Sequence, residues 1–421
     1  MQLTDELEKA FKREVVYTRD CEDLSQDILQ VTSRNISSST LRRLFGLLES
    51  KSKLSKFNED TLELYISKKK ELTGTIDNHD LSLKQDRVAA EFEDLKSLHA
   101  GLNESFLVDV IDSNLHPNKI LKLLHFAILE SFENEDVDFF IALYRQNKLI
   151  LSHVALFRFF GSQIKKNIAF SAKLLPSLAK ESNARRYFFE NYVDFGDFRI
   201  YRNWLLIYYE KEPTYLNKLW AVSLIIYGDT LSNNESDFWP EYIELYELSK
   251  NEVKEGHPML KARVYGIGLM LSSEMEYFQR EIFQELESNL QEVINDAGYF
   301  PYFPNMICQY ALIFGKDTKN IRLIHEILKK YSKINLWHHD PGVPFYISLL
   351  ETVLDNAKIR LEDIKMFKSG HTNEDTPLKM FALQYLDEDS VESEKYISHL
   401  IEQSGFVYFK DSNFIVNLPL N

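Results

Sequence analysis

The sequence predicts an all-α protein with a small N-terminal helical domain, a long α-solenoid of stacked helix pairs and a short C-terminal β-hairpin. Apolar residues recur every three or four positions along most of the chain, which is the spacing of amphipathic helices. Beyond residue 104 no series of alternating apolar and polar residues interrupts this pattern. With 421 residues, the chain is longer than one hydrophobic core usually holds, so we expect at least two packing units.

The composition is that of an ordinary soluble protein. Hydrophobic residues make up 44% and charged residues 27%, with only 14 Gly and 11 Pro, which excludes collagen-like and disordered chains. The longest nearly apolar run, 219–228, is shorter than the roughly 20 residues that span a bilayer, and the charged N-terminus does not have the pattern of a secretory signal. Only Cys21 and Cys308 occur, which favours a reducing compartment and excludes a disulfide framework. We therefore expect a cytoplasmic protein with no membrane contact.

The first 72 residues predict four short helices, each with a polar residue that would cap its start. Asp20 or Asp23 would cap the second helix, Ser37 the third and Asn58 the fourth, because a short side-chain oxygen can accept from an unpaired amide. The four apolar faces are Leu3, Leu7, Ala10 and Phe11; Leu24, Ile28 and Val31; Leu41, Leu44, Phe45 and Leu48; and Leu62, Tyr65 and Ile66. Such faces would pack together as the core of an N-terminal module.

Charge is distributed unevenly along the chain. The formal net charge is -15, yet residues 34–70 carry nine cationic and only four acidic side chains. An acidic body repels a polyanion, so any contact with nucleic acid should be confined to this basic segment. On the third helix, Arg42 and Arg43 lie off the apolar face and would point to solvent.

Two helices joined by a short turn at residues 33–36, with the second exposing arginines, have the anatomy of a helix-turn-helix. The serines and amides at the start of that helix would meet a phosphate, with the arginines one turn further in. The candidate nucleic-acid-binding residues are Arg34, Ser37, Ser38, Ser39, Arg42, Arg43, Lys51, Lys53 and Lys56. Two other interpretations stand: the same surface docks a protein, or it is an ordinary amphipathic surface helix.

The run Ile36-Ser-Ser-Ser-Thr-Leu-Arg-Arg-Leu-Phe-Gly46 resembles a degenerate helix-turn-helix-like N-terminal module of bacterial, notably Bacteroidetes, proteins. The resemblance covers about the first 70 residues. In that family the next segment is a helix that starts at proline or serine and ends in a glycine-aromatic turn, whereas residues 58–70 lack that turn. The resemblance implies a bacterial protein whose first module contacts DNA or protein.

We divide the chain into four parts: the module at 1–74, a linker and connecting helix at 75–103, the helical repeats at 104–404, and a C-terminal hairpin or tail at 405–421. The boundary near residue 75 follows a polar stretch with Gly74 and no helical stripe. The hairpin would pair strands at 405–409 and 413–418, which alternate around Lys410-Asp-Ser412.

The third part predicts tetratricopeptide-like or HEAT-type helix pairs. Pro213, Pro258, Pro304, Pro344 and Pro377 are spaced by 33 to 46 residues and precede apolar helical runs, as prolines in first turns do. Helix pairs of this length bury their apolar faces by stacking and leave a concave surface, on which we expect a protein or peptide ligand. The aromatic clusters at 187–195, 204–216 and 238–248 would either line that groove or, more in keeping with their spacing, form the core.

The motifs of enzymes are missing or incomplete. Residues 313–318 hold a Gly-Lys pair, but Tyr310 stands where a phosphate-binding loop needs its first glycine. The histidines and aspartate at 337–342 are metal-ligand types, but adjacent side chains rarely converge on one ion. We expect His116 and His257 to serve in capping or packing, and we expect no enzyme activity, no cofactor and no metal. The leading hypothesis is a cytoplasmic bacterial transcription regulator with a DNA-contacting module and a ligand-binding repeat domain, similar in architecture to peptide-sensing regulators. The alternative is a protein-protein interaction scaffold without DNA binding.

Overall fold

The computed structural model is all-α, which confirms the predicted fold class. Among the described residues no β-strand occurs, and a single bridge joins Ile359 to Leu386. The structure describes residues 3–11, 15, 20–21, 24–25, 27–28, 32, 34, 36–45, 47–48, 54–74, 78–113, 115–146, 148–271, 273–295, 300–315, 317–334, 342–355, 357–367, 373–386 and 391–410. None of the helices in these ranges is long and apolar enough to cross a membrane.

The chain divides into two compact units, Met1–Leu98 and His99–Asn421. The first contains α1 (Leu3–Phe11), α2 (Ser38–Leu44), α3 (Lys56–Gly74) and α4 (Asn78–Leu98). Between α1 and α2, residues 20, 21, 24, 25, 27, 28 and 32 are also helical. The stretch we expected to be a polar connector is therefore helical where it is described: residues 71–74 end α3, and α4 begins at Asn78, near the start of the predicted linker and connecting helix at 75–103.

One hydrophobic cluster joins α1, α2, α3 and the helical residues between α1 and α2, and most of the predicted apolar faces form it. Its buried members include Leu7, Ala10, Leu24, Ile28, Leu41, Leu62, Tyr65 and Ile66. The Tyr65 hydroxyl donates to the carboxylate of Asp27, so the helical segment around residue 28 is also fastened to α3. Leu48, predicted on the apolar face, is 41% exposed, because α2 ends at Leu44 and the chain turns away.

Three N-caps were predicted in the first unit, and the structure shows where two of these helices begin. Ser37 is the N-cap of α2, as predicted, with its side chain accepting from the amide of Thr40. Asn58 is not the cap of α3: the hydroxyl of Ser55 accepts from the Asn58 amide at 3.3 Å, and the helix begins at Lys56. Asp20 lies within helical backbone, and Asp23 lies outside the described residues.

The second unit contains the remaining helices. They are α5 (Glu104–Ile111), α6 (Pro117–Glu133), α7 (Val137–Arg145), α8 (Lys148–Leu151), α9 (Val154–Ile164), α10 (Ile168–Leu178), α11 (Ser182–Ala184), α12 (Phe198–Lys211), α13 (Tyr215–Leu231), α14 (Trp239–Glu255), α15 (Pro258–Gly268), α16 (Met275–Asn295), α17 (Tyr302–Tyr310), α18 (Thr318–Ile334), α19 (Val343–Asp355), α20 (Leu361–Met366), α21 (Thr376–Ala382) and α22 (Val391–Ser404). Short π-helical turns lie at Arg185–Phe189 and Ala311–Gly315, and 3-10 turns at Phe195–Asp197, Asn373–Asp375, Leu383–Tyr385 and Tyr408–Lys410.

The predicted apolar stripes and proline starts are confirmed in this unit. The stripes of α6, α7 and α13 are buried, including Leu124, Phe140 and Ile225, each at 0% exposure. Four of the five prolines lie in the first turn of α15, α17, α19 and α21, and the fifth lies two residues before α13. Proline fits there because the first amides of a helix have no intrahelical partner.

Packing in the second unit joins neighbouring helices but is not confined to them. Helices α12 to α15 pack in succession, α15 packs on α17, and α16 on α18. The C-terminal segment also returns to the middle of the unit: α22 and the turn Asn373–Asp375 both pack against the turn Phe195–Asp197. Repeats in a strict solenoid contact only their neighbours, so the predicted solenoid arrangement is not confirmed.

The predicted C-terminal hairpin is not shown. Its first strand, 405–409, contains instead the 3-10 turn Tyr408–Lys410, and residues 411–421 lie outside the described residues. The alternation that suggested a strand has another physical cause. Phe406 is fully buried, with its ring centroid 6.1 Å from that of Phe195 and 5.7 Å from that of Phe198.

Candidate nucleic-acid interface and a polar cleft

The turn before α2 is held by side-chain hydrogen bonds to the backbone. The Thr32 hydroxyl accepts from the Arg34 amide at 3.1 Å and donates to the carbonyl of Ile28 at 2.7 Å. Ser25 donates to the carbonyl of Ile36, whose side chain is 1% exposed. The turn is thus anchored on both sides, and it fixes where α2 starts.

The three serines at the start of α2 are placed together at its N-terminus. The Ser37 hydroxyl oxygen lies 3.2 Å from the Thr40 amide, 2.9 Å from the Ser39 hydroxyl and 2.9 Å from the Thr40 hydroxyl. Ser37 is exposed, and Ser38 and Ser39 are half-buried. The Ser37 oxygen therefore already serves the helix as its cap and lies within hydrogen-bond distance of two further hydroxyls.

The candidate cations of this unit differ in exposure. Arg34, Arg43 and Lys56 are exposed, whereas Arg42 is half-buried and its Nε is enclosed without a partner among the described residues. Our expectation that both arginines of α2 face solvent thus holds for Arg43 and is wrong for Arg42, because part of the Arg42 side chain packs on the unit. Lys51 and Lys53 lie outside the described residues.

An exposed aromatic side chain accompanies these cations. The guanidinium carbon of Arg34 lies 5.9 Å from the ring centroid of Phe57, which is 56% exposed. Leu47 and Leu48 are also exposed, at 39% and 41%. Sequence reasoning missed Phe57, although its position next to Lys56 at a helix start was a usable signal. The surface therefore offers both charge and apolar area.

The second unit contains a polar cleft of about 470 Å³. It is lined by Phe198, Arg199, Arg202, Asp229, Ser232, Asn234, Glu235 and Gly405. Arg202 holds Asp229 with two hydrogen bonds, at 2.7 and 3.0 Å, and the Ser236 hydroxyl donates to the same carboxylate at 2.9 Å. Asn234 and Glu235 are exposed at its rim. The sequence alone could not predict this cleft, because Gly405 is about 170 residues or more away in sequence from the other lining residues.

A pair of glutamates, Glu212 buried and Glu190 half-buried, lies near the start of α13. The Glu212 carboxylate, 5% exposed, accepts from Arg185 Nε at 2.8 Å. Glu190 accepts from the Tyr208 hydroxyl at 2.9 Å. Burial, aided by the charge of Glu212, raises the pKa of Glu190 above its usual range. These hydrogen bonds fasten the π-helical turn Arg185–Phe189 and the residue after it to the C-terminal end of α12.

The histidines expected to cap or pack do so. His116, His153 and His257 are the N-caps of α6, α9 and α15, each accepting through Nδ1 from the amide two residues later at 3.2 to 3.3 Å. Both cysteines are buried, and burial raises the pKa of the Cys308 thiol far above its usual value. No group of metal-ligand side chains converges among the described residues, and residues 337–341 lie outside them.

The aromatic clusters belong mostly to the core, as their spacing favoured. Phe188, Phe195 and Tyr208 are fully buried, and the Phe188 ring meets that of Phe160 at 4.8 Å. Tyr215, 56% exposed, is an exception.

No protein-family model, no curated protein and no solved structure matches this chain.

Proposed function

We propose that the protein is a cytoplasmic bacterial regulator whose first unit contacts DNA and whose second unit binds a protein or peptide ligand. The observation that carries the first half is a set of three exposed cations in an otherwise acidic protein: Arg34 in the turn before α2, Arg43 in the last turn of α2, and Lys56 at the start of α3. Cations placed at a helix-turn-helix-like turn would contact phosphates and fix the orientation of the duplex.

The polar cleft supports the second half of the proposal. Its volume of about 470 Å³ lies in the range of ligand sites, roughly 300 to 1,000 Å³. The rim residues Asn234 and Glu235 offer an amide and a carboxylate, which are the groups that pair with a peptide main chain. Random peptides selected on the wild type should lose binding to a variant with Asn234→Ala and Glu235→Ala. Peptides that bind both proteins equally would place the ligand elsewhere.

The DNA contact is tested by fluorescence anisotropy with labelled random-sequence duplex at low and moderate salt. The informative variant carries Arg34→Gln, Arg43→Gln and Lys56→Gln, because all three side chains are exposed. Arg42 is left intact, since its half-buried side chain supports the fold. We expect wild-type affinity to fall steeply with salt, and the variant to bind more than about tenfold more weakly, with a salt slope smaller by about 2.7 if each residue holds one phosphate.

The matched control removes three exposed cations from the second unit, by Lys166→Gln, Lys180→Gln and Lys358→Gln. It lowers the net charge by the same amount, so it separates a local contact from a general charge effect. The control should bind DNA as the wild type does. Equal losses in both variants would show that DNA senses only net charge, and the regulator proposal would fail.

The second candidate function is a protein-interaction scaffold without DNA binding. The exposed Leu47, Leu48 and Phe57 beside the cations favour it, because apolar residues rimmed by charge are typical of protein contacts. If the wild type does not bind duplex DNA even at low salt, the first unit is a docking surface and this alternative replaces the regulator.

A further inference from the structure

A buried arginine lies at the centre of the second unit. Arg263, on α15, is 5% exposed, and its guanidinium donates to the carboxylate of Glu374 in the turn Asn373–Asp375. Its guanidinium carbon lies 5.8 Å from the Trp220 ring centroid. Its Nε is enclosed and has no hydrogen-bond partner among the described residues. A buried guanidinium normally has its donors satisfied, so this open donor calls for an acceptor.

Three tyrosine hydroxyls around this arginine are also unpartnered. Tyr201, Tyr227 and Tyr310 come from α12, α13 and α17, are at most 2% exposed, and their hydroxyls make no hydrogen bond within the described chain. The rings of Tyr227 and Tyr310 are 4.7 Å apart. Burial raises the pKa of all three well above its usual value; the charge of Glu374 raises it further, while that of Arg263 lowers it for Tyr201 and Tyr310. All three hydroxyls therefore lie within the electrostatic reach of the Arg263–Glu374 ion pair.

The cluster holds four donor hydrogens that meet no acceptor among the described residues, one on Arg263 Nε and one on each of the three hydroxyls. Each hydroxyl oxygen can also accept, whereas Arg263 Nε can only donate. A bound water offers two acceptor sites, so a single water takes up at most two of the four hydrogens. A carboxylate or phosphate group brings acceptors only, and charge-assisted hydrogen bonds to it are the stronger kind.

We propose that Arg263, Tyr201, Tyr227 and Tyr310 form a binding site for a small anion that carries a carboxylate or phosphate group. The ligand must be small, because the four side chains are almost fully buried. Glu374 provides the entry, since its side chain is 21% exposed while that of Arg263 is 6% exposed. The ligand replaces the Glu374 carboxylate on Arg263, so the net charge of the site does not change, and it gains the hydroxyl donors that Glu374 leaves unused.

Binding at this site would act on the C-terminal segment. Glu374 and Arg263 are 111 residues apart in sequence, and their ion pair fastens the turn Asn373–Asp375 to α15. A ligand that takes over Arg263 releases that connection. The site is independent of the DNA-contacting residues, which all belong to the first unit.

The test is isothermal titration of the full-length protein with sodium acetate and, separately, inorganic phosphate, with chloride at matched ionic strength as the reference. We expect saturable binding of one of the two probes, and which one binds identifies the anion. Glu374→Gln should tighten binding about tenfold by removing the competing charge. The double variant Tyr227→Phe and Tyr310→Phe keeps ring shape and should weaken it about tenfold by removing two donors.

Tyr242→Phe is the matched control. The Tyr242 hydroxyl is equally buried but donates to the carbonyl of Val264 at 2.8 Å, so its removal should lower the melting temperature and leave anion affinity unchanged. Removing the unpartnered hydroxyls of Tyr227 and Tyr310 should not lower the melting temperature of the ligand-free protein. Absence of saturable binding in both the wild type and Glu374→Gln would overturn the proposal. So would a melting temperature of the double variant that falls as in Tyr242→Phe, because ordered water would then already satisfy the hydroxyls.

Discussion

The guanidinium of Arg199 donates a hydrogen bond to the main-chain oxygen of Glu402 at 2.7 Å, across 203 residues of sequence. Gly405 follows on the same turn with a φ of 82°, and its Cα faces the Arg199 side chain. Phe406 then enters the space beside Phe195 and Phe198. The end of α22 is thus fastened to the start of α12 by a polar contact and an apolar one.

Replacement of Phe406 by alanine tests how much this closure stabilises the second unit. The side chain is fully buried, so we expect Phe406→Ala to lower the free energy of unfolding by about 3 to 5 kcal/mol. Urea denaturation followed by circular dichroism measures the change. Tyr215→Ala, which removes an aromatic ring that is 56% exposed, should change stability far less. Equal small effects would mean that the C-terminal segment does not dock in solution.

At Gly228, on α13, the ring of Phe198 from α12 packs so closely against the backbone that a side chain does not fit. A Cβ at this position would lie 2.1 Å from the Phe198 ring, so Gly228→Ala forces a buried ring to move. We expect a loss of about 1 to 3 kcal/mol in unfolding free energy. On a Phe198→Leu background the same substitution should cost less, because the clash is with that ring. A cost that is unchanged in the double variant would contradict this packing.

The sequence allowed better prediction of the secondary structure than of the tertiary contacts. Periodicity is a local property, so the buried stripe of α6 and the capping serine of α2 followed from it. The burial of Phe406 against Phe195 depends on two segments about 200 residues apart, and a single sequence carries no signal for that pairing. Local polarity also misled at residues 71–74 and 78–82, which were expected to be a polar connector and are helical.

The candidate sites show the same division. The basic residues of the first unit are close in sequence, so the sequence alone could name Arg34, Arg43 and Lys56 as candidates. The partial burial of Arg42 depends on packing that periodicity does not encode. The cluster at Arg263 was missed entirely. Its members come from α12, α13, α15, α17 and a late turn, and in each of these helices a tyrosine or arginine within an apolar run looks like any other core position.

His125 should make stability depend on pH. Burial, and secondarily the charge of His153, lowers its pKa below the usual 6.5. Well above pH 6.5 the His125 side chain is neutral in the folded and in the unfolded protein. As the pH falls below 6.5, the unfolded chain takes up the proton before the folded protein does, so the free energy of unfolding decreases. The slope from this residue is at most about 1.4 kcal/mol per pH unit. Plots of unfolding free energy against pH, from denaturation curves between pH 8 and pH 5, should show a smaller slope for His125→Leu than for the wild type.

Glu190 should have the opposite effect on the pH dependence of stability. Its pKa is raised by burial above the ordinary 4.5, so the folded state binds the proton more readily and ionisation at neutral pH opposes folding. Stability contributed by the protonated group is gained as the pH falls through the raised pKa. Glu190→Gln keeps an acceptor for the Tyr208 hydroxyl, and it should raise the melting temperature at pH 7 and lose that advantage below about pH 4.5. A variant that is less stable at pH 7 would show that the charge itself is needed.

The docking of Phe406 has a consequence for biosynthesis. A ribosome releases α12 and α13 long before residue 406 leaves the exit tunnel, at about 5 to 20 residues per second. During that interval the apolar surface at Phe195 and Phe198 has no cover, so the nascent chain exposes a patch to which chaperones bind. Completion of the second unit therefore waits until Phe406 has left the ribosome, well after α12 and α13 have emerged.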